Sequence, residues 1–361
     1  MNTDDTLLLS QPALFTISQM PDLNFKHISN LTDKTGIIQH ALFAMPNRKE
    51  GYCIDDNARA LLFAVWACKN NKRDQITHDL LLVYLSFIHY MQSEDGYFRN
   101  FLSYTMTATE DRGSEDSFGR TMMALGYLIN EGPSHLLTRT AHGIFTKAYP
   151  HVNKLTSLRG IANTIVGISQ IIKYQYPDDR KRNMVINLAD KMVAMYKHSK
   201  SSDWHWFEPI LTYDNAMLPL ALLNAFEVTQ QDEFLTIAFE SMAFLESKVF
   251  YDTFRPIGNL GWHKQGGPIA TFDQQGIDAM AMVLFYQQAF RLTGEQLYLA
   301  RMYKCYQWFL GDNDMGLSLY DFSTGGCADG LHTEGINLNQ GAESTLAYWI
   351  SHLVVASTLS A

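Results

Sequence analysis

GYCIDDNARALLFAVWACK, residues 51–69, sets two adjacent carboxylates, Asp55 and Asp56, directly ahead of an apolar run. Ile54, Ala58, Leu61, Leu62 and Val65 recur at three- and four-residue intervals, the stripe of a buried helix face. The spacing predicts a helix over 54–69. THDLLLVYLSFIHYMQ at 77–92 is also long and apolar, and the polar NNKRDQ connection between the two makes a helical hairpin.

The unit recurs along the chain. Polar or acidic clusters precede apolar runs at 114–128, 157–172, 211–223, 271–290 and 337–355, and second helices fall near 134–148, 179–197, 232–248 and 295–310. Asp55 and Arg59 share a D-x-x-small-R pattern with Asp116 and Arg120, and Asp56-Asn57-Ala58 returns as Asp214-Asn215-Ala216. Gln275-Gly276-Ile277-Asp278 likewise parallels Gln340-Gly341-Ala342-Glu343. A period of roughly 45 to 65 residues suits one hairpin plus an elaborated loop. HISNLTDKTGIIQHALFAMP at 27–46 supplies an outer partner for the first inner helix and brings the count to twelve. No β-strand series interrupts the pattern. The expectation is an all-α (α/α)6 toroid of six helical hairpins forming one domain over 1–361, with 1–24 a peripheral N-terminal segment. An open solenoid would have more uniform repeats and shorter loops.

In such a ring the N-termini of the inner helices gather at one mouth, where positive dipole ends meet carboxylates. The long connections SSDWHWFEPILTYD (201–214), RPIGNLGWHKQGGP (255–268) and YDFSTGGCADGLHTEGINLNQ (320–340) supply the rest of its lining. Flat aromatic faces stack on pyranose rings, and carboxylates and amides bind their hydroxyls. The composition therefore points to a sugar cleft, with Trp204, His205, Trp206, Trp262 and His263 as stacking and hydroxyl-binding candidates. Tyr52, Asp55, Arg120, Asp273, Gln274, His332 and Glu343 complete the expected binding set.

Glycoside cleavage needs a protonated carboxylic acid near the leaving oxygen and a second carboxylate to activate water or attack carbon. Asp56, Asp116, Glu208 and Asp214 are the catalytic candidates, with the acid and base on different loops. A plainer reading competes for some of them. Asp is a favoured N-cap, and Asp55 with Arg59, or Asp116 with Arg120, has the spacing of an ordinary intrahelical ion pair. On that ground Asp55 reads as structural and Asp56 as the residue that faces a sugar.

Other classes are disfavoured. A net charge of −9 without basic runs argues against nucleic acid or an anionic membrane surface as partner. MNTDDTLLLSQPALF has neither the basic region of a secretory signal nor a span-length apolar stretch, so a cytoplasmic location is expected. Cys53, Cys68, Cys305 and Cys327 have no CxxC spacing and read as buried, reduced thiols. No metal-ligand or phosphate-loop motif stands out, so neither metal nor other cofactor is expected.

DKTGIIQHALFAMPNRKEGYCIDDNARALL, EDSFGR, WFEPILTYDNAMLPLALL and GGCADGLHTEGINLNQGAESTLAY together resemble a bacterial family of six-hairpin, glycosidase-like helical toroids. The resemblance spans nearly the whole chain; one departure is Gly276, where the family pattern has Pro. It implies a ring fold and a sugar ligand, since the superfamily contains hydrolases, phosphorylases, lyases and sugar epimerases. Members resemble stand-alone proteins or domains fused to glycosyltransferases, which implies a possible glycosyltransferase partner. The reading that follows is a glycoside hydrolase of a short oligosaccharide, inverting as helical toroids often are. A phosphorylase using Arg120, Arg159 or Lys264, an epimerase using His205 and His263, and a non-catalytic glycan-binding partner are the alternatives.

Overall fold

A computed structural model describes residues 20–70, 75–174 and 178–360. Most of the expected N-terminal segment and most of the first hairpin connection thus lie outside the described residues. Twelve α-helices are present among the described residues: α1 (Lys26–Leu31), α2 (Ile54–Asn70), α3 (Gln75–Met91), α4 (Glu115–Glu131), α5 (His135–Ala148), α6 (Leu158–Tyr174), α7 (Asp179–Ser199), α8 (Met217–Thr229), α9 (Asp232–Val249), α10 (Gly276–Thr293), α11 (Gln296–Gln307) and α12 (Ala342–Leu359).

α2, α4, α6, α8, α10 and α12 form the inner ring, each touching the next, and α12 returns to α2. The sequence explains the two layers. α10 and α12 are apolar nearly all round and buried on every face, whereas α11 buries only Met302, Tyr303, Cys305 and Tyr306. α3, α5, α7, α9 and α11 pack outside α2, α4, α6, α8 and α10 in that order. The fold is the expected all-α (α/α)6 toroid.

The expected helix over 27–46 is shorter and sits elsewhere. Only Lys26–Leu31 is helical, and it packs mainly on α12, so the sixth pair is closed by segments more than 300 positions apart. Asp33 Oδ1 accepts from Thr35 N at 2.8 Å and folds residues 33–36 into a turn that stops the helix. The chain then runs extended through β1 (Ala41–Leu42) and β2 (Met45–Pro46), which pair with each other.

Short antiparallel pairs also tie down the mouth loops: β3 (Tyr52–Cys53) with β4 (Phe101–Leu102), β5 (Ile210–Leu211) with β6 (His263–Lys264), and β7 (Gly330–His332) with β8 (Gly335–Asn337). Such two- and three-residue ladders leave no periodicity to read.

The α4–α6 contact is set by glycine. A Cβ on Gly126 would lie 2.2 Å from Gly167 O, so the two backbones touch where any side chain would part them. That approach lets Glu115, in the first turn of α4, accept from the backbone N of Thr156 and Ser157 at 2.6 and 2.5 Å and cap α6.

Candidate active site

The helix N-termini surround a cavity of about 550 Å³. α2 starts directly after β3, so its first turn is delivered to the wall with Asp55 and Asp56 on it and Arg59 one turn deeper. Asp56 accepts from Arg59 at 2.7 Å and from Cys53 Sγ at 3.0 Å. Arg59 then reaches Glu343 of α12 at 2.7 Å. Asp55 stands 3.3 Å from Arg120 of α4, whose other end meets Asp214, before α8, at 2.9 Å. The expected pairs Asp55–Arg59 and Asp116–Arg120 are not the ones made: Arg59 pairs with Asp56 of its own helix and with Glu343 of α12, and Arg120 with carboxylates from two neighbouring helix entrances.

Asp116 is therefore free of Arg120 and accepts instead from Ser157 Oγ at 2.6 Å and from the Tyr213 hydroxyl. Tyr213 is itself fixed by Arg159, whose guanidinium lies 4.5 Å from its ring and whose Nε donates to its carbonyl at 2.7 Å. Across the cavity Asp273 holds His332 Nδ1 at 2.5 Å, and Asp329 accepts from Gly341 N and Ser344 Oγ at 2.8 and 2.7 Å.

Burial acts on these carboxyls against their arginines. It raises Asp55 despite Arg120 and lifts Asp56 to about 6 despite Arg59. Asp214 is raised by burial and opposed by Arg120, and Asp278 is pushed up to about 8 by burial and by Asp214. Burial also pushes the Cys53 thiol well up, so this cysteine is a donor to Asp56 and not a nucleophile. All four cysteines are buried. Among the described residues no group of three or more His, Cys, Asp or Glu side chains could hold a metal ion.

Of the residues singled out in the sequence, Asp55, Asp56, Asp116, Arg120, Asp273, Gln274, His332 and Glu343 line the cavity together. Gln274 is already saturated by Trp308 and Asp314 at 2.9 and 2.7 Å. Asp214 has no exposed surface and stands behind Arg120, which makes it a positioning residue in place of the expected catalytic one. Glu208 lies outside the lining and is taken by Arg159 at 2.9 Å. Tyr52 is buried under β3 with its hydroxyl on Asp33 at 2.6 Å.

The aromatic candidates form a separate cluster outside the cavity lining. Pairing of β5 with β6 draws their two loops together, and Trp204 and Trp206 are buried there against Phe244 and Phe207, at 4.9 and 5.3 Å. His205 binds Glu240 at 2.8 Å, His263 binds Pro268 O at 3.2 Å in the loop after β6, and Trp262 packs half-buried beside it. The sequence reading missed His40, Tyr213, Asn259 and Asp329, which do line the cavity. Asp329 lay within the Gly-rich 320–340 loop already singled out; His40 carried no signal.

No protein-family model and no curated protein matches the sequence. Solved structures do match the fold. A sugar epimerase from a ruminal bacterium superposes with a TM-score of 0.70 at 9% identity, covering 91% of this chain and 94% of that one. A family 76 α-mannanase of Bacteroides thetaiotaomicron gives 0.67 at 11% identity, covering 92% of each chain. An α-1,6-mannanase of a Salegentibacter species, inactivated by asparagine in place of two consecutive aspartates and bound to α-1,6-mannotriose, gives 0.57 at 10% identity over 92% of this chain and 96% of that one. The chain thus has the six-hairpin toroid fold that these carbohydrate-processing enzymes share.

Proposed function

We propose that this protein is a carbohydrate-active enzyme, and specifically a glycoside hydrolase acting on a short oligosaccharide. The observation that carries the reading is the cavity wall itself: Asp55, Asp56, Asp116, Asp273, Asp329 and Glu343 face one space, in two contrasted environments. Asp55 keeps its side chain 21% exposed, has a long ion pair and is raised by burial, which suits a carboxyl that gives a proton to the glycosidic oxygen. Asp116, oriented by two hydroxyl donors, suits the base that takes a proton from water as it attacks the anomeric carbon. Asp56 is less suited to proton transfer, because both its oxygens are engaged by Arg59 and Cys53. The consecutive Asp55–Asp56 pair is also the residue type removed in the inactivated mannanase variant, which supports the mouth as the place of chemistry.

A second reading, sugar epimerisation, has one observation of its own. His332, 41% exposed and oriented by Asp273, could take a proton from a sugar carbon. Incubation with manno- and gluco-oligosaccharides, with and without phosphate, followed by NMR of products and anomers, separates the cases. Hydrolysis of at least one glycoside is expected; binding without turnover across the panel overturns the enzymatic reading, and isomerisation alone moves the assignment to His332.

A further inference from the structure

Among the described residues the ring carries a cavity at each end. At the C-terminal ends of the inner helices a second cavity of about 520 Å³ lies on the same axis, lined by all six of them. Between the two, around Leu62, Met123, Met280 and Leu284, the axis narrows to a void of about 20 Å³, so the second cavity is no extension of the first.

We propose that this second cavity is a non-catalytic binding site for a neutral saccharide. Its wall has the chemistry for one. Trp66 and Tyr127 meet edge to face at 5.0 Å, both half-buried, and present an aromatic surface to the cavity. Asn224 is 2% exposed; its Nδ2 donates to Leu220 O at 3.0 Å while its Oδ1 is buried without a partner among the described residues. A buried carbonyl oxygen left unpaired is costly, and a ligand hydroxyl would satisfy it. Gln287, half-buried on the wall, adds an amide.

The charges argue for a neutral ligand. Lys69 is matched to Glu131 at 3.0 Å, and Lys173 and Arg291 to Glu227 at 2.5 and 3.7 Å. Among the described residues one cation is in surplus, and the partial negative charge of the converging helix C-termini offsets it. Each of these cations thus already lies beside a carboxylate, which favours a neutral ligand over a phosphate or a carboxylate.

This site does not depend on which reaction occurs at the mouth, and the Trp66→Phe variant separates its signal from one at the mouth, where Trp308 bonds to Gln274 behind the wall. The full chain is titrated with cellobiose and with α-1,6-mannotriose while tryptophan fluorescence is followed, and crystals are soaked in each. A saturable change is expected for at least one sugar, with density beside Trp66 in the soak. Trp66→Phe should abolish the signal, and Gln287→Ala, on a half-exposed residue, should weaken binding about tenfold with turnover at the mouth unchanged. Asn224→Leu should do the same if it folds. No saturable change with either sugar, density at the mouth alone, or a fluorescence change indifferent to Gln287→Ala and Asn224→Leu overturns the proposal, whatever activity the mouth shows.

Discussion

Arg120 lies between Asp55 and Asp214, 3.3 Å from the first and 2.9 Å from the second, and joins the entrances of three inner helices. Removing it strips Asp214, which has no exposed surface, of its paired cation. Arg120→Met should cost about 3–5 kcal/mol of stability in denaturant unfolding, the range for breaking a buried pair. It should also raise the Asp55 carboxyl further, since Arg120, ahead of Arg59, opposes burial there. The alkaline limb of kcat/KM should then move to higher pH; an unmoved limb assigns the proton donor elsewhere.

Asp55→Asn and Asp116→Asn should each lower kcat on the order of 10²–10⁴-fold with little effect on KM, because each removes a proton-transfer group and keeps its shape. Tyr213→Phe should lower kcat less, since it removes one of the two donors that orient Asp116. Steady-state kinetics on the glycoside identified by the NMR panel checks all three; equal rates for Asp116→Asn and the parent return Asp116 to a structural role.

Trp204 and Trp206 should behave as core. Trp206→Ala should cost about 3–5 kcal/mol in stability, and a substrate KM measured on the folded fraction should stay within about twofold, inside the 1.4 kcal/mol that marks a tenfold change. A large rise in KM at constant stability would bring the aromatic loop back to the substrate.

Asp278 gives a pH test of the fold. Its folded carboxyl titrates at about 8, against 3.8 in the unfolded chain, so the native state holds the extra proton between those values. Unfolding free energy from this group is therefore full below about pH 4 and is lost as pH rises toward 8. Asp278→Asn, which cannot ionise and can still accept from Asn215 N, should raise Tm at pH 8 more than at pH 5.

Apolar periodicity was enough to find the inner helices, because helices buried on a ring axis have long apolar runs and polar loops before them. It failed at 32–46, where a turn made by Asp33 and ladders two residues long decide the path. The candidate site was half legible. Residues in the first turns of inner helices, such as Asp55, Asp116 and Glu343, had to reach the mouth once the ring closed. Loop residues did not, since the β5–β6 pairing that removes Trp204 and His263 from the cavity is a contact across more than fifty positions. Local spacing likewise misassigned the partners of Arg59 and Arg120: Arg59 takes Asp56 of its own helix together with Glu343 of α12, and Arg120 takes carboxylates from two other helix entrances, because a charge chooses among all carboxylates in space.

Closure of the ring by α1 on α12 also orders events during synthesis. His27 Nε2 bonds Gln340 O at 2.8 Å across 313 positions, so the ring cannot be sealed until residue 340 has left the ribosome. Until then the flank of α2 that α12 will cover stays wet and apolar, and the growing protein is an open crescent with two sticky ends. Chaperone dependence should accordingly be greatest until residues 342–359 emerge, and a chain stopped before residue 342 should aggregate where one that includes this helix folds.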